Sequence, residues 1–163
     1  MQRARRRDPI GPLTLHPEES PRPARVEVGQ VFANRRALSD AQVHRPLQAG
    51  TSGIRERGAE SVVVGWVGWN EDDRDHGDEI VFTGRGGRAL DAGRQVEHRR
   101  FERGNAALVT SMTTARPVRL VRFEGGGRAP GYRYGGLFRV EECWCEKGRS
   151  GFLICRYRLV RSG

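Results

Sequence analysis

The chain has 163 residues, 36% apolar and 30% charged, with 29 Lys and Arg against 20 Asp and Glu and a net charge of +9. That is enough chain for one domain with one core. No run approaches the ~18 consecutive apolar residues of a membrane span, and no apolar stretch follows the basic N-terminus as a secretory signal requires. An intracellular protein with an anionic partner, nucleic acid first, is therefore expected, although the arginine bias, with Lys147 the sole lysine, also follows from a GC-rich genome.

Residues 1–27 open on RARRR and carry five prolines between Pro9 and Pro23. Proline blocks both helix and sheet ladders, so an extended or disordered arm is expected, with a folded domain over 28–163. Within that domain, Val28 to Phe32 alternates like a short strand and Arg35 to Ala41 reads as a short helix. A loop then runs from His44-Arg45-Pro46 through Gly50 and Gly53. Ser61 to Trp66 is β-branched and reads as a strand, as does the alternating Glu79 to Thr83. Gly84 to Gly87 is a turn, Phe101 to Ser111 a helix, Pro117 to Phe123 a strand and Gly125 to Gly131 a loop. Leu137 to Trp144 and Phe152 to Val160 are the last strands, with Gly148 to Gly151 between them. At least six strands and two helices predict an α+β fold, a barrel or strongly curved sheet with flanking helices.

The acidic run Glu71, Asp72, Asp73, Asp75, Asp78 stands out in a basic chain. A calcium loop is excluded, because the glycine falls one place early and Gly84 stands where a bidentate Glu is needed. Paired-carboxylate hydrolysis lacks an accompanying nucleophile system. A solvated turn and a recognition element stay open. An ionised carboxylate in a dry pocket accepts a hydrogen bond from the N4 amino group of cytosine. The Thr83-Gly84-Arg85-Gly86-Gly87 turn is no phosphate loop, since no Lys-Ser/Thr pair follows, but its glycines allow close approach of a DNA backbone. Cys143-x-Cys145 is too tight for a zinc pair, and the three cysteines are expected as free thiols. No catalytic residues, metal or cofactor are expected. Trp69, in a Gly-Trp-Asn-Glu-Asp loop, faces less packing demand than the other aromatics, so it and Phe82 are candidates to sandwich a base.

Several segments in order, VHRPLQAG, EDDRDHGDEIVFTGRGG, RGNAAL, RPVRLVR, YRYGGLFRVEE and EKGRSGFLICRYRLVR, resemble the SRA domain, also called the YDG domain. The likeness covers about Val28 to Gly163. It implies a curved, partly closed PUA-like β-barrel that binds DNA carrying 5-methylcytosine and flips the modified base between two aromatics. By resemblance, Asp73 is the acid that accepts from N4, Phe82 one stacking wall in place of the usual Tyr, and Thr83 the residue beside it that contacts the base edge. The second wall normally stands where Asn70 is, with Trp69 just before it; a one-residue shift that lets Trp69 stack is the favoured reading, the alternative being that Asn70 replaces the stack with hydrogen bonds. Two loops that enter the DNA correspond to the segment around Gln48 and to Gly93-Arg94-Gln95. Gln95 stands where CpG-specific members carry Arg, and Gln is the more permissive reader, so relaxed sequence context is expected. Arg85 and Arg88 are expected to contact phosphate. Tyr134-Gly135-Gly136 replaces Tyr-Asp-Gly, which puts structural support there in doubt.

The expectation is thus a non-enzymatic reader of modified cytosine in double-stranded DNA, without membrane association, in the bacterial nucleoid or, in a eukaryote, the nucleus. The alternatives are the recognition component of a modification-dependent restriction system that works with a nuclease partner, and an RNA-binding PUA-like module.

Overall fold

The computed structural model describes residues 25–65, 73–84, 104–125, 131–147, 151 and 153–162. The expected arm at 1–27 lies almost wholly outside them. Among the described residues the order is β1 (Val31–Phe32), α1 (Arg35–Asp40), β2 (Thr51–Ile54), β3 (Gly58–Val64), β4 (Arg74–Asp75), β5 (Glu79–Thr83), α2 (Gly104–Thr114), β6 (Val118–Glu124), β7 (Gly131–Lys147) and β8 (Leu153–Arg161). The strands form one sheet in the order β2-β3-β6-β7-β8-β5-β4, with β1 attached to β7. All described pairings are antiparallel except β3–β6. The α+β class expected from the sequence is correct. The strand path is open, with β2 and β4 as its ends.

Local chemistry explains the elements. The Asn34 side chain caps α1 by accepting from the Ala37 amide at 2.8 Å, as an N-cap residue does. Gln42, at φ 60°, ends that helix, and Ala115, also at φ 60°, ends α2 before Pro117. In β3 the three valines are buried on both faces. Val62 and Val64 join the main core with Ile80, Phe82, Leu108, Phe138 and Tyr157, while Val63 joins a second cluster with Leu38, Val43, Val121 and Tyr132. A strand covered on both faces reads as a continuous β-branched run rather than an alternation, which is why β3 was visible in the sequence.

Four expectations are corrected. The loop read through Gly50 and Gly53 contains β2, which pairs with β3 across a bulge at Ser52/Gly53. A Cβ at Gly53, whose φ is +146°, would fall 2.5 Å from Ala59 Cα. β7 begins at Gly131, inside the segment read as loop, because Gly135-Gly136 make a bulge opposite Leu120/Val121 instead of ending the strand. The first strand is limited to Val31–Phe32. Finally, Cys145 and Cys155 are not free thiols: they stand opposite one another in the β7–β8 ladder, 4.1 Å apart at Cα, and form a disulfide, while Cys143 stays free.

Candidate functional site

The acidic run separates into two kinds of carboxylate. Arg122 Nε donates to Asp75 at 2.6 Å, Arg161 Nε to Asp78 at 2.6 Å, and Arg158 to Glu79 at 2.9 Å. These three acids tie the β4–β5 hairpin to β6 and β8. Burial works to raise the Asp75 pKa, but the Arg122 guanidinium and the Gly77 amide outweigh it and hold the carboxyl below its ordinary range. Pairing of this kind is structural.

Asp73 differs. Its carboxyl turns toward the ends of two strands that are far apart in the sheet order. Oδ1 accepts from the Thr83 amide at 2.7 Å, at the end of β5, and Oδ2 accepts from the Gly65 amide at 3.3 Å, just past β3. Burial is the main influence on this group and raises its pKa from 3.8 to about 7, against the lowering pull of both amides, the Thr83 side chain and the nearby Arg156. A carboxylate has about four acceptor sites, so two backbone bonds fix the group's orientation and leave it acceptor capacity for a ligand.

This shift has a consequence for stability. The unfolded chain ionises Asp73 near pH 4, whereas the folded protein keeps the proton until about pH 7. The contribution is full below the unfolded pKa and is lost as pH rises through the folded one. Denaturation of the free protein at pH 5 and pH 8 should therefore show an Asp73-dependent loss of ~2–4 kcal/mol toward pH 8. Asp73→Asn should remove that part of the slope; an unchanged slope would contradict the assignment.

Phe82 and Thr83 follow at the end of β5. The Phe82 ring is 2% exposed within the main core. Its Cζ approaches the Gly50 backbone closely enough that a Cβ there would lie 3.9 Å away. Thr83 is buried too; among the described residues its Oγ1 has no hydrogen-bond partner of good geometry, although it lies close enough to the Asp73 carboxyl to lower that group's pKa. Gly84 continues the ladder through its amide to Cys155 O at 2.8 Å. A Cβ on Gly84 would fall 2.5 Å from Asn105 Oδ1 and 2.9 Å from Tyr157 Cε1. The first glycine of the turn is thus needed for packing against α2 and Tyr157.

Gln48 is exposed on the loop before β2, beside the half-exposed Leu47. The end of that loop, Gly50, accepts from the Val63 amide at 2.9 Å, so Gln48's loop, Phe82 and the Asp73 cradle are anchored to the same pair of strands. Trp69, Asn70, Arg85, Arg88, Gly93, Arg94 and Gln95 lie outside the described residues. Sequence reasoning missed the Gly65 amide as a partner of Asp73. It also missed Arg156, opposite Thr83 in the β5–β8 ladder, 6% exposed and paired with Glu146 at 2.8 Å. Arg156 sits in an alternating strand, where a charge ordinarily marks the outer face, so no local signal identified it.

The model of the SAD/SRA domain matches residues 22–163. The Arabidopsis thaliana histone-lysine N-methyltransferase family member SUVH9 is 40% identical over 83% of this chain and 22% of its own length. Among solved structures, a modification-dependent TagI restriction endonuclease superposes with a TM-score of 0.68 at 36% identity, over 83% of this chain and 50% of that one. The SUVH5 SRA domain in complex with methylated CHH DNA superposes with a TM-score of 0.68 at 31% identity, over 86% of this chain and 92% of that one. The chain spans about a fifth of the length of its curated relative. No helix among the described residues is long and apolar enough to cross a membrane. On the match across residues 22–163 and the identity to its relatives, the chain belongs to the SAD/SRA domain family.

Proposed function

We propose that this domain binds double-stranded DNA carrying 5-methylcytosine, or a related modified cytosine, and draws the modified base out of the duplex into a pocket built on Asp73. The observation that carries this reading is the Asp73 carboxyl, partly buried and held by the Gly65 and Thr83 amides, with acceptor capacity beyond those two bonds for the N4 amino group. Phe82 forms one wall and Trp69 or Asn70 the other, with Thr83 at the base edge. Support comes from the SUVH5 SRA domain, whose solved structures are complexes with methylated DNA. Gln48 and the Gly93-Arg94-Gln95 segment enter the duplex, and Arg85 and Arg88 contact phosphate. The partly closed PUA-like barrel belongs to the same reading: Asp73 links the end of β3 to β5, and β3 and β5 share one core, as a sheet curled on itself requires.

The domain acts as a reader without chemistry of its own, on nucleoid or nuclear DNA, with residues 1–27 as an arm and 28–163 as the reading domain. A second reading is favoured by the likeness to a modification-dependent restriction endonuclease: the domain selects the site and a nuclease partner cuts. Purified protein incubated with methylated DNA and a divalent cation should leave it intact, and structured RNA should compete poorly. Because Gln95 stands at the expected guanine-reading tip, duplexes with the modified base in CpG and in non-CpG context should differ in affinity by less than about tenfold. A CpG-only preference would contradict the assignment of that loop.

A further inference from the structure

The loop that carries Gln48 is gripped from beneath by two buried side chains. Arg35 lies on α1, 9% exposed. Its Nη1 donates to Pro46 O at 3.1 Å and to Ala49 O at 3.0 Å, and its Nη2 to Gln48 O at 3.4 Å. The guanidinium carbon sits 5.6 Å from the centre of the Tyr132 ring, a cation–π distance. His44, fully buried, adds a second hold: its Nε2 lies 2.8 Å from Ala49 O and its Nδ1 2.8 Å from Ser61 Oγ. A carbonyl only accepts, so Nε2 carries the proton and Ser61 donates to Nδ1. Burial depresses the His44 pKa to about 4, opposed by the bond to Ala49 O and reinforced by Arg35 and Arg119, so the ring is neutral at ordinary pH and the hold does not weaken between pH 6 and 8.

With the Pro46, Gln48 and Ala49 carbonyls turned inward onto one guanidinium, the loop leaves Leu47 and Gln48 facing outward. The result is a tip of Leu47 and Gln48, one apolar and one amide, both exposed. Wedging an apolar side chain against a base step and offering an amide to base edges is the chemistry of an inserting element. If the loop were ordered only on binding, its conformational entropy would be lost at that moment; a preformed tip has lost it already on folding. The planar fork matters, because a lysine offers a point charge and cannot hold three carbonyls in fixed directions.

We infer that Arg35 and His44 are positioning residues that preform the Leu47–Gln48 tip for insertion into DNA at the flipped base. This rests on the reading that the Gln48 loop enters the duplex. The test compares two DNAs with wild-type protein, Arg35→Met, Arg35→Lys and Gln48→Ala. One duplex carries 5-methylcytosine paired with guanine. The other carries the same base as a single-nucleotide bulge, which becomes extrahelical without leaving a hole to fill. Arg35→Met should weaken binding to the paired duplex by about tenfold or more and to the bulged one by under about threefold. Adding it to Gln48→Ala should cost little more, as expected of residues that act through one another. Should Arg35→Met fail to fold, Arg35→Lys keeps charge and stem, and the same selective loss is expected of it. Equal loss on both DNAs, or full additivity with Gln48→Ala, would overturn the inference. Wild-type protein that binds methylated and unmodified duplexes equally would instead overturn the reading beneath it.

Discussion

Asp73→Ala is expected to abolish preference for the methylated duplex while leaving DNA binding in place. The lost contact is a hydrogen bond donated by the N4 amino group to a preoriented carboxyl, charge-assisted above about pH 7, where Asp73 is ionised, and there worth ~1.5–3 kcal/mol or about 10- to 100-fold in affinity. The remaining binding should be the same for methylated and unmodified DNA and should fall steeply with salt, because it comes from arginine–phosphate contacts that release counterions. Equilibrium titrations at two salt concentrations would read both effects. Fold loss is not the expected explanation, since among the described residues Asp73 lies outside the apolar clusters and is held by the Gly65 and Thr83 amides rather than by core packing. A variant that keeps full discrimination would remove Asp73 from the pocket.

Phe82→Ala should have the largest effect on stability. The ring is 2% exposed and packs with residues of β3, β6, β7, β8 and α2; emptying such a site costs ~3–5 kcal/mol, enough to unfold a marginal domain. Phe82→Leu separates packing from stacking. It keeps most of the buried volume, at a cost of roughly 1 kcal/mol in denaturant unfolding, but removes the aromatic face. If Phe82 is a wall of the base pocket, Phe82→Leu should lose ~1–3 kcal/mol of stacking, a five- to 100-fold weakening toward methylated DNA, with unmodified binding unchanged. Equal weakening toward both DNAs would make Phe82 a core residue only.

How far the fold could be read from the chain depended on the kind of information each element needs. β5 was visible residue for residue, because Glu79 to Thr83 alternates between a His-Gly turn and a glycine-rich one. α1 was read as Arg35 to Ala41 and spans Arg35–Asp40, whereas its Asn34 cap emerged only in the fold. β2 was not, because Gly50 and Gly53 look like loop residues, whereas Gly53 sits inside a strand where Ala59 leaves no room for a Cβ. The start of β7 was hidden for the same reason. The disulfide depended on register: Cys145 and Cys155 meet only because the β7–β8 ladder sets them opposite, and spacing alone gives no register.

The site divides in the same way. The choice of Asp73, Phe82 and Thr83 as candidates came from motif likeness, and the fold brings the Asp73 carboxyl to the Thr83 amide at the end of β5. The reason Asp73 differs from its acidic neighbours was not legible. It depends on Arg122, Arg158 and Arg161, residues of β6 and β8 that neutralise Asp75, Glu79 and Asp78 and leave Asp73 to the backbone. The Arg35 grip is likewise tertiary, joining a helix to carbonyls 11 to 14 residues later.

The central claim is tested most directly by titrating the wild-type protein against one duplex carrying a single 5-methylcytosine and against its unmodified twin, in the same sequence and salt. The account predicts tighter binding to the methylated duplex by about tenfold or more, since only a base captured between stacking walls offsets the cost of flipping. Equal affinity for the two duplexes would contradict it.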